Sequence, residues 1–213
     1  MNYKHTAGVL ALAVLMTTAG CGFITGSESL SFNANQATVS DATLSETGYE
    51  EVSVEAANIT RNFSAAGQER QVEVTNWIAQ YERQVSLGPL GDQRAAVFAG
   101  LSTPAVEILG QTFNPVANFD NRQIIQRFQK QYGSVSVGDR VSTTQVEALG
   151  EERNVSRYEG TAQLAGNDVD VYIHLAKFRH GDDYVVALAV YPQRLDGERS
   201  RAVSMFEGLE HDN

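Results

Sequence analysis

Residues 184–191 read Tyr-Val-Val-Ala-Leu-Ala-Val-Tyr, and Pro192 ends the run. Every side chain in it is apolar or aromatic, so as a strand it presents no polar face. Such a strand needs cover on both sides of its sheet. The segments before it alternate instead. Val169, Val171, Ile173 and Leu175 alternate with Asp170, Tyr172, His174 and Ala176, and the turn His180-Gly181-Asp182 joins them to the apolar run. Further back, Tyr158, Gly160, Ala162 and Leu164 alternate with Arg157, Glu159, Thr161 and Gln163, followed by the turn Gly166-Asn167. Period-two alternation broken by glycine turns predicts an antiparallel meander.

The cover has two sources in the chain. Asp120 is a good N-cap, and Ile124, Ile125, Phe128 and Tyr132 recur at helical spacing before Gly133. A second helix begins at Asp196 or Gly197, with Ala202, Met205, Phe206 and Leu209 as its apolar stripe. Ahead of the meander, Val52, Val54 and Ala56 alternate with Ser53, Glu55 and Ala57, and Val72 and Val74 with Gln71, Glu73 and Thr75. Residues 77–85 fit both a strand and a helix and are taken as a strand. After the turn Leu87-Gly88-Pro89-Leu90-Gly91-Asp92, residues 95–101 (AAVFAGL) are apolar on both faces, like a central strand. Two helices and a sheet with two-sided strands predict an α+β domain, an antiparallel sheet with helices on both faces.

The chain begins MNYKHTAGVLALAVLMTTAGC. A weakly basic start, an apolar run from Ala7 to Met16 and the small residues 17–20 have the layout of a secretory signal. The run falls short of the roughly 20 apolar residues that span a bilayer. The single cysteine of the chain, Cys21, follows Ala19-Gly20 directly. Here the sequence resembles the lipobox of prokaryotic lipoproteins, with Thr18 where a leucine is usual. The resemblance implies that the chain is cut before Cys21 and that the Cys21 sulfur carries a diacylglyceryl-type lipid. An uncleaved anchor over 7–20 gives the same location. The expected division is a signal peptide over 1–20, a lipidated N-terminus and flexible tether over 21–48, and one globular domain over 49–213. Gly22 to about Gln36 is the tether proper, poor in large apolar groups, and Ser40 caps a short helix that stops at Gly48.

Over 213 residues, 26 acids face 16 bases, for a net charge of −10. Removing residues 1–20 takes away Lys4 alone and leaves −11. Nucleic acid is an improbable partner for such a surface. After Lys4 the only lysines are Lys130 and Lys177. Acid excess with so little lysine is the pattern of a protein at home in high salt, where carboxylate repulsion is screened. Three Asn-x-Ser/Thr sequons, at Asn58, Asn62 and Asn154, are candidate N-glycosylation sites outside the cytoplasm.

No zincin, Walker, dinucleotide or nucleophile-elbow motif occurs. His174, His180, Asp182 and Asp183 are the one histidine–carboxylate grouping. His174 lies roughly 20 Å from His180 along a strand, so the two do not share an ion. Gly181-Asp182 reads as hairpin chemistry, and no metal is expected. Asp168 and Asp170 read as a solvated strand end. Arg194, Asp196, Glu198, Arg199 and Arg201 read as a solvated helix start. Trp77, Tyr81 and Phe98 read as core.

The element order over 49–209 is similar to the PsbP-like and Mog1-like α/β/α sandwich. The whole chain also resembles the acidic lipoproteins of haloarchaea. That resemblance rests on Thr75-Asn76-Trp77, Leu87-Gly88-Pro89-Leu90, residues 109–115 (LGQTFNP), His180-Gly181-Asp182-Asp183 and residues 191–197 (YPQRLDG). It implies location and fold and carries no activity. The expectation is a membrane-anchored lipoprotein on the outer face of the cell membrane. It is non-catalytic, without a cofactor, and acts in binding or envelope assembly. Its partners are membrane lipid through Cys21 and an envelope protein or small ligand. The alternative is a small-molecule or ion-binding lipoprotein with a pocket between sheet and helices.

Overall fold

The computed structural model describes residues 29–212 except 66–67, 87–91, 109–110, 113, 133–134 and 165. The apolar run is strand β11 (Asp183–Pro192), numbered after β1 (Leu30–Asn33), β2 (Ala37–Val39), β3 (Glu50–Ala65), β4 (Gln68–Ser86), β5 (Asp92–Pro104), the short pair β6 (Glu107–Ile108) and β7 (Gln111–Thr112), β8 (Val135–Ala148), β9 (Glu151–Leu164) and β10 (Asn167–His180). The eight-stranded sheet runs β1-β4-β5-β11-β10-β9-β8, with β3 also paired to β4. It is mostly antiparallel, including every pair from β4 to β8 along that order. β11 lies between β5 and β10, with Tyr184 opposite Thr103 on one side and Arg179 on the other.

Both faces of β11 are buried, as its composition requires. Val185, Ala187, Ala189 and Tyr191 belong to one hydrophobic cluster, and Val186 and Leu188 to another. Helix α4 (Glu198–Glu207) gives Ala202, Met205 and Phe206 to the first cluster. Helix α3 (Asn121–Tyr132) gives Ile125 to the second, with Ile124 and Phe128 packed against it. The edge of Phe206 meets Phe98 of β5 at a centroid distance of 5.2 Å. The α3 start is a reciprocal capping box: Gln123 N–H donates to Asp120 Oδ1 at 2.8 Å, and Asp120 N–H to Gln123 Oε1 at 2.9 Å.

Three parts of the fold differ from the sequence expectation. Strand β8 was not anticipated. It pairs with β9 through a turn at Leu149-Gly150, both with positive φ (53° and 76°), the signature of a type I′ hairpin. Leu209 lies not in the last helix but in β12 (Leu209–His211), which pairs with β2. Residues 37–48, counted above with the tether, carry β2 and helix α1 (Asp41–Thr47), and Ala37, Val39 and Thr47 are buried. α1 has the expected caps: Ser40 Oγ accepts from Thr43 N–H, and Gly48 is left-handed. β2 comes so close to β5 that a Cβ on Gly100 would lie 2.7 Å from the Ala37 carbonyl oxygen.

The chain forms two compact units. Of the described residues, one holds 29–31, 60–65 of β3 and 68–73 of β4. The other, Phe32–Ile59 with Val74–Asn213, holds the helices, both hydrophobic clusters, the two pockets and the buried ionic networks described below. Among the described residues no helix is long and apolar enough to cross a membrane.

Candidate functional site

Helix α2 (Pro115–Asn118) is a single turn, too short to be stable by itself. Side chains fix it at both ends. At its start, the buried Asn114 accepts from Val116 N–H at 2.8 Å. Asn114 Nδ2 donates to Thr103 Oγ1 at 3.0 Å and to the Pro104 carbonyl at 2.6 Å. At its end, Lys177 Nζ of β10 donates to the carbonyls of Val116, Ala117 and Phe119 at 3.2, 3.2 and 2.7 Å. Three carbonyls on one ammonium satisfy the last turn's orphan acceptors.

Beside this pinned turn lies a pocket of about 150 Å³. β4 gives it Ile78, β5 gives Ala99, Gly100 and Leu101, and β11 gives Val186 and Leu188. Its helical wall is Val116, Phe119, Ile124, Arg127 and Phe128. On this face β5 offers only the methyl group of Ala99 opposite Leu188. Among the described residues Arg127 is the only charged one of the lining, and its guanidinium carbon sits 3.9 Å from the centre of the Phe119 ring. The pocket can hold an apolar body. Among the described residues that line it there is no serine, cysteine, histidine or carboxylate.

The ionisable groups lie elsewhere. Glu198, the first residue of α4, is fully buried. Arg83 Nε donates to its Oε1 and Oε2 at 3.3 and 3.1 Å, and Nη2 donates to Oε2. Tyr49 O–H donates to Oε1 at 3.0 Å. Burial first, then the Glu198 charge, pushes the Tyr49 hydroxyl well above its ordinary pKa. The hydrogen bonds to Glu198 raise that of Arg83.

A second network runs through histidines. Asp183 Oδ2 accepts from Asn35 N–H at 2.8 Å and lies 3.0 Å from His211 Nε2. His211 Nδ1 lies 2.9 Å from His180 Nδ1. Because Asp183 is an acceptor, His211 donates from Nε2. With neutral rings, His180 then donates to His211 Nδ1. Burial, then His211, lowers the His180 pKa. His174 does not join them. It is buried, shares a 2.9 Å hydrogen bond with Tyr191 and is held down to a pKa of about 4, chiefly by burial and then by Arg157 and Arg199. Among the described residues no group of three or more potential ligands is placed to hold a metal ion.

The structure separates the remaining candidates. Cys21 lies outside the described residues. Asn58 and Asn62 on β3 and Asn154 on β9 are exposed, as are Asp168, Asp170, Asp182, Arg194, Asp196 and Arg199. Glu198 departs from the solvated cluster expected of it. Arg201 follows it there, with Nη1 3.6 Å from Glu198 Oε2. Tyr81 and Phe98 are core, but Trp77 is half-buried and lines a polar hollow of about 550 Å³ with Asn35, Glu210 and His211. His211, Arg83, Tyr49 and Arg127 were not singled out from the sequence. None sits in a recognisable motif, and each acquires its role only through partners distant in the chain.

No curated protein matches the sequence. Residues 36–210 match the model of a domain of unknown function, DUF6517, a span that takes in β2, both hydrophobic clusters and the apolar pocket. By that match the chain belongs to the DUF6517 family.

Proposed function

We propose that the chain is an exported lipoprotein, cut before Cys21 and lipidated there, that holds its domain on the outer face of the cell membrane. The domain binds a small ligand and does not catalyse. The observation that carries the binding reading is the pocket between β5, β11, α2 and α3. Among the described residues its lining is apolar with Arg127 as the one charge, so it offers a molecule shelter and orientation but no acid–base group. Envelope assembly through a flat apolar surface has less support. Among the described residues, the exposed large apolar side chains Val52, Ile59 and Val141 are scattered along β3 and β8.

The three-layer α/β/α arrangement of PsbP-like and Mog1-like domains is our reading of the architecture. The two clusters fed by alternate residues of β11, one with α4 and one with α3, favour it. The acid excess and lysine scarcity favour a high-salt, haloarchaeal setting. The exposure of Asn58, Asn62 and Asn154 favours N-linked sugar there.

The anchor has a direct test. Mass spectrometry of protein from native membranes should give Cys21 as the N-terminus, with a lipid-sized adduct. A wild-type protein without the adduct, together with a Cys21→Ser variant that stays fully membrane-bound, would overturn lipidation and favour an uncleaved helix.

A further inference from the structure

Among the described residues the apolar pocket is charged at one point, Arg127, and no salt bridge gives it a counter-ion. On this side of the sheet Lys177 is committed to three carbonyls of the α2 turn. Arg122 donates to the Gly138 carbonyl at 2.8 Å and lies 3.8 Å from Asp139. Among the described residues, no carboxylate pairs with Arg127, which rests on Phe119. A ring face accepts no conventional hydrogen bond, so the planar N–H fork remains for an acceptor.

We infer that the pocket takes a small apolar monocarboxylate, with a ring-sized hydrocarbon body in the cavity and its carboxylate on Arg127. The inference rests on the binding function proposed above. Size sets the body: about 150 Å³ accommodates a molecule the size of benzene, and a long acyl chain exceeds it. Shape sets the head, because a carboxylate meets a guanidinium through two parallel hydrogen bonds. Charge limits it to one: Arg127 alone balances a monoanion, and the surrounding chain carries a net charge of −10 that disfavours a dianion.

The test titrates 3-phenylpropionate and its uncharged amide into the full chain carrying Cys21→Ser, with Arg127 intact or as Arg127→Gln. Arg127 is exposed, so the substitution leaves the fold in place. Calorimetry should find the carboxylate bound about fivefold tighter than the amide, the value of one partly exposed ion pair. Arg127→Gln should remove that difference and leave the amide's affinity unchanged. The methyl resonances of Val186 and Leu188 should shift with either compound. Equal affinities in the wild type, or a preference that survives Arg127→Gln, would overturn the ligand class while the binding function stands. If neither compound nor toluene moves those methyls, the pocket is no binding site, and the binding function falls with it.

Discussion

Glu198 holds a negative charge where water does not reach, and its neighbours compensate it, Arg201 at 3.6 Å among them. Arg83 supplies the opposite charge, Tyr49 a further donor, and the first turn of α4 a favourable dipole end. A buried ion adds little net stability when paired but is costly when orphaned, by about 3–5 kcal/mol. Arg83→Met should therefore destabilise the fold by about 3 kcal/mol in urea unfolding at fixed salt. The double variant Arg83→Met/Glu198→Gln should recover much of that loss. Simple additivity of the two changes would contradict a dedicated pair. His174 makes the opposite case, a titratable group kept neutral. It faces Tyr191, Arg157 and Arg199, and its pKa in the fold is about 4, against 6.5 as its ordinary value. The unfolded chain thus binds more protons between those values, so His174 contributes stability above pH 6.5 that is lost as pH falls toward 4. The full loss is about 3 kcal/mol. The stability difference between wild type and His174→Gln should shrink by about 2 kcal/mol between pH 7 and pH 4.5. A difference that stays constant across that range would mean that His174 titrates normally in the fold.

The element that organises the domain is β11, and its two-sided burial can be tested at one position. Val186 is 4 % exposed and belongs to the α3 cluster. Val186→Asp puts an unpaired carboxylate there and should cost several kcal/mol, read as a collapsed urea midpoint. A variant that unfolds like the wild type would refute the packing. β9, β10 and β11 were legible in the sequence because an inward face against solvent, or two inward faces, writes itself as alternation or as an unbroken apolar run. β8 was not, because most of its residues are exposed and its register with β9 slips on both sides of Arg140. Gly138-Asp139 also reads as a turn, although the strand passes through it. β2 and β12 are three residues each, too short for periodicity, and are held by pairing between the two ends of the fold. The pocket was illegible for a related reason. Its walls come from β4, β5, β11, α2 and α3, elements that lie far apart in the chain. The general idea of a pocket between sheet and helices could be read from the class of fold, but Arg127 could not.

At the scale of the whole molecule the dominant quantity is charge. The chain from Cys21 onward carries −11, and among the described residues Asp183 and Glu198 are the acids that are buried. The excess therefore sits on the surface, where carboxylates repel one another in dilute buffer. Few local cations offset them, since two lysines remain after Lys4. Salt acts on three kinds of charge differently. Surface repulsion is screened, with a Debye length falling from about 10 Å at 0.1 M to about 3 Å at 1 M. Exposed ion pairs such as Arg122–Asp139 and Arg179–Asp182, each with N···O of 3.8 Å, weaken as well, but each is worth at most about 1 kcal/mol. The Arg83–Glu198 pair is shielded from solvent ions and hardly responds. Relief of repulsion wins this balance, and apolar burial does not weaken in sodium or potassium chloride. The melting temperature of the chain should therefore rise between about 0.1 M and about 3 M chloride salt. Replacing exposed acids such as Glu55, Glu152 and Asp168 with amides should flatten the rise, since each removes a repulsive term and leaves the buried pair intact. A melting temperature that stays level or falls over that range would mean that the acidity serves something other than life in high salt, and the haloarchaeal setting would lose its physical basis.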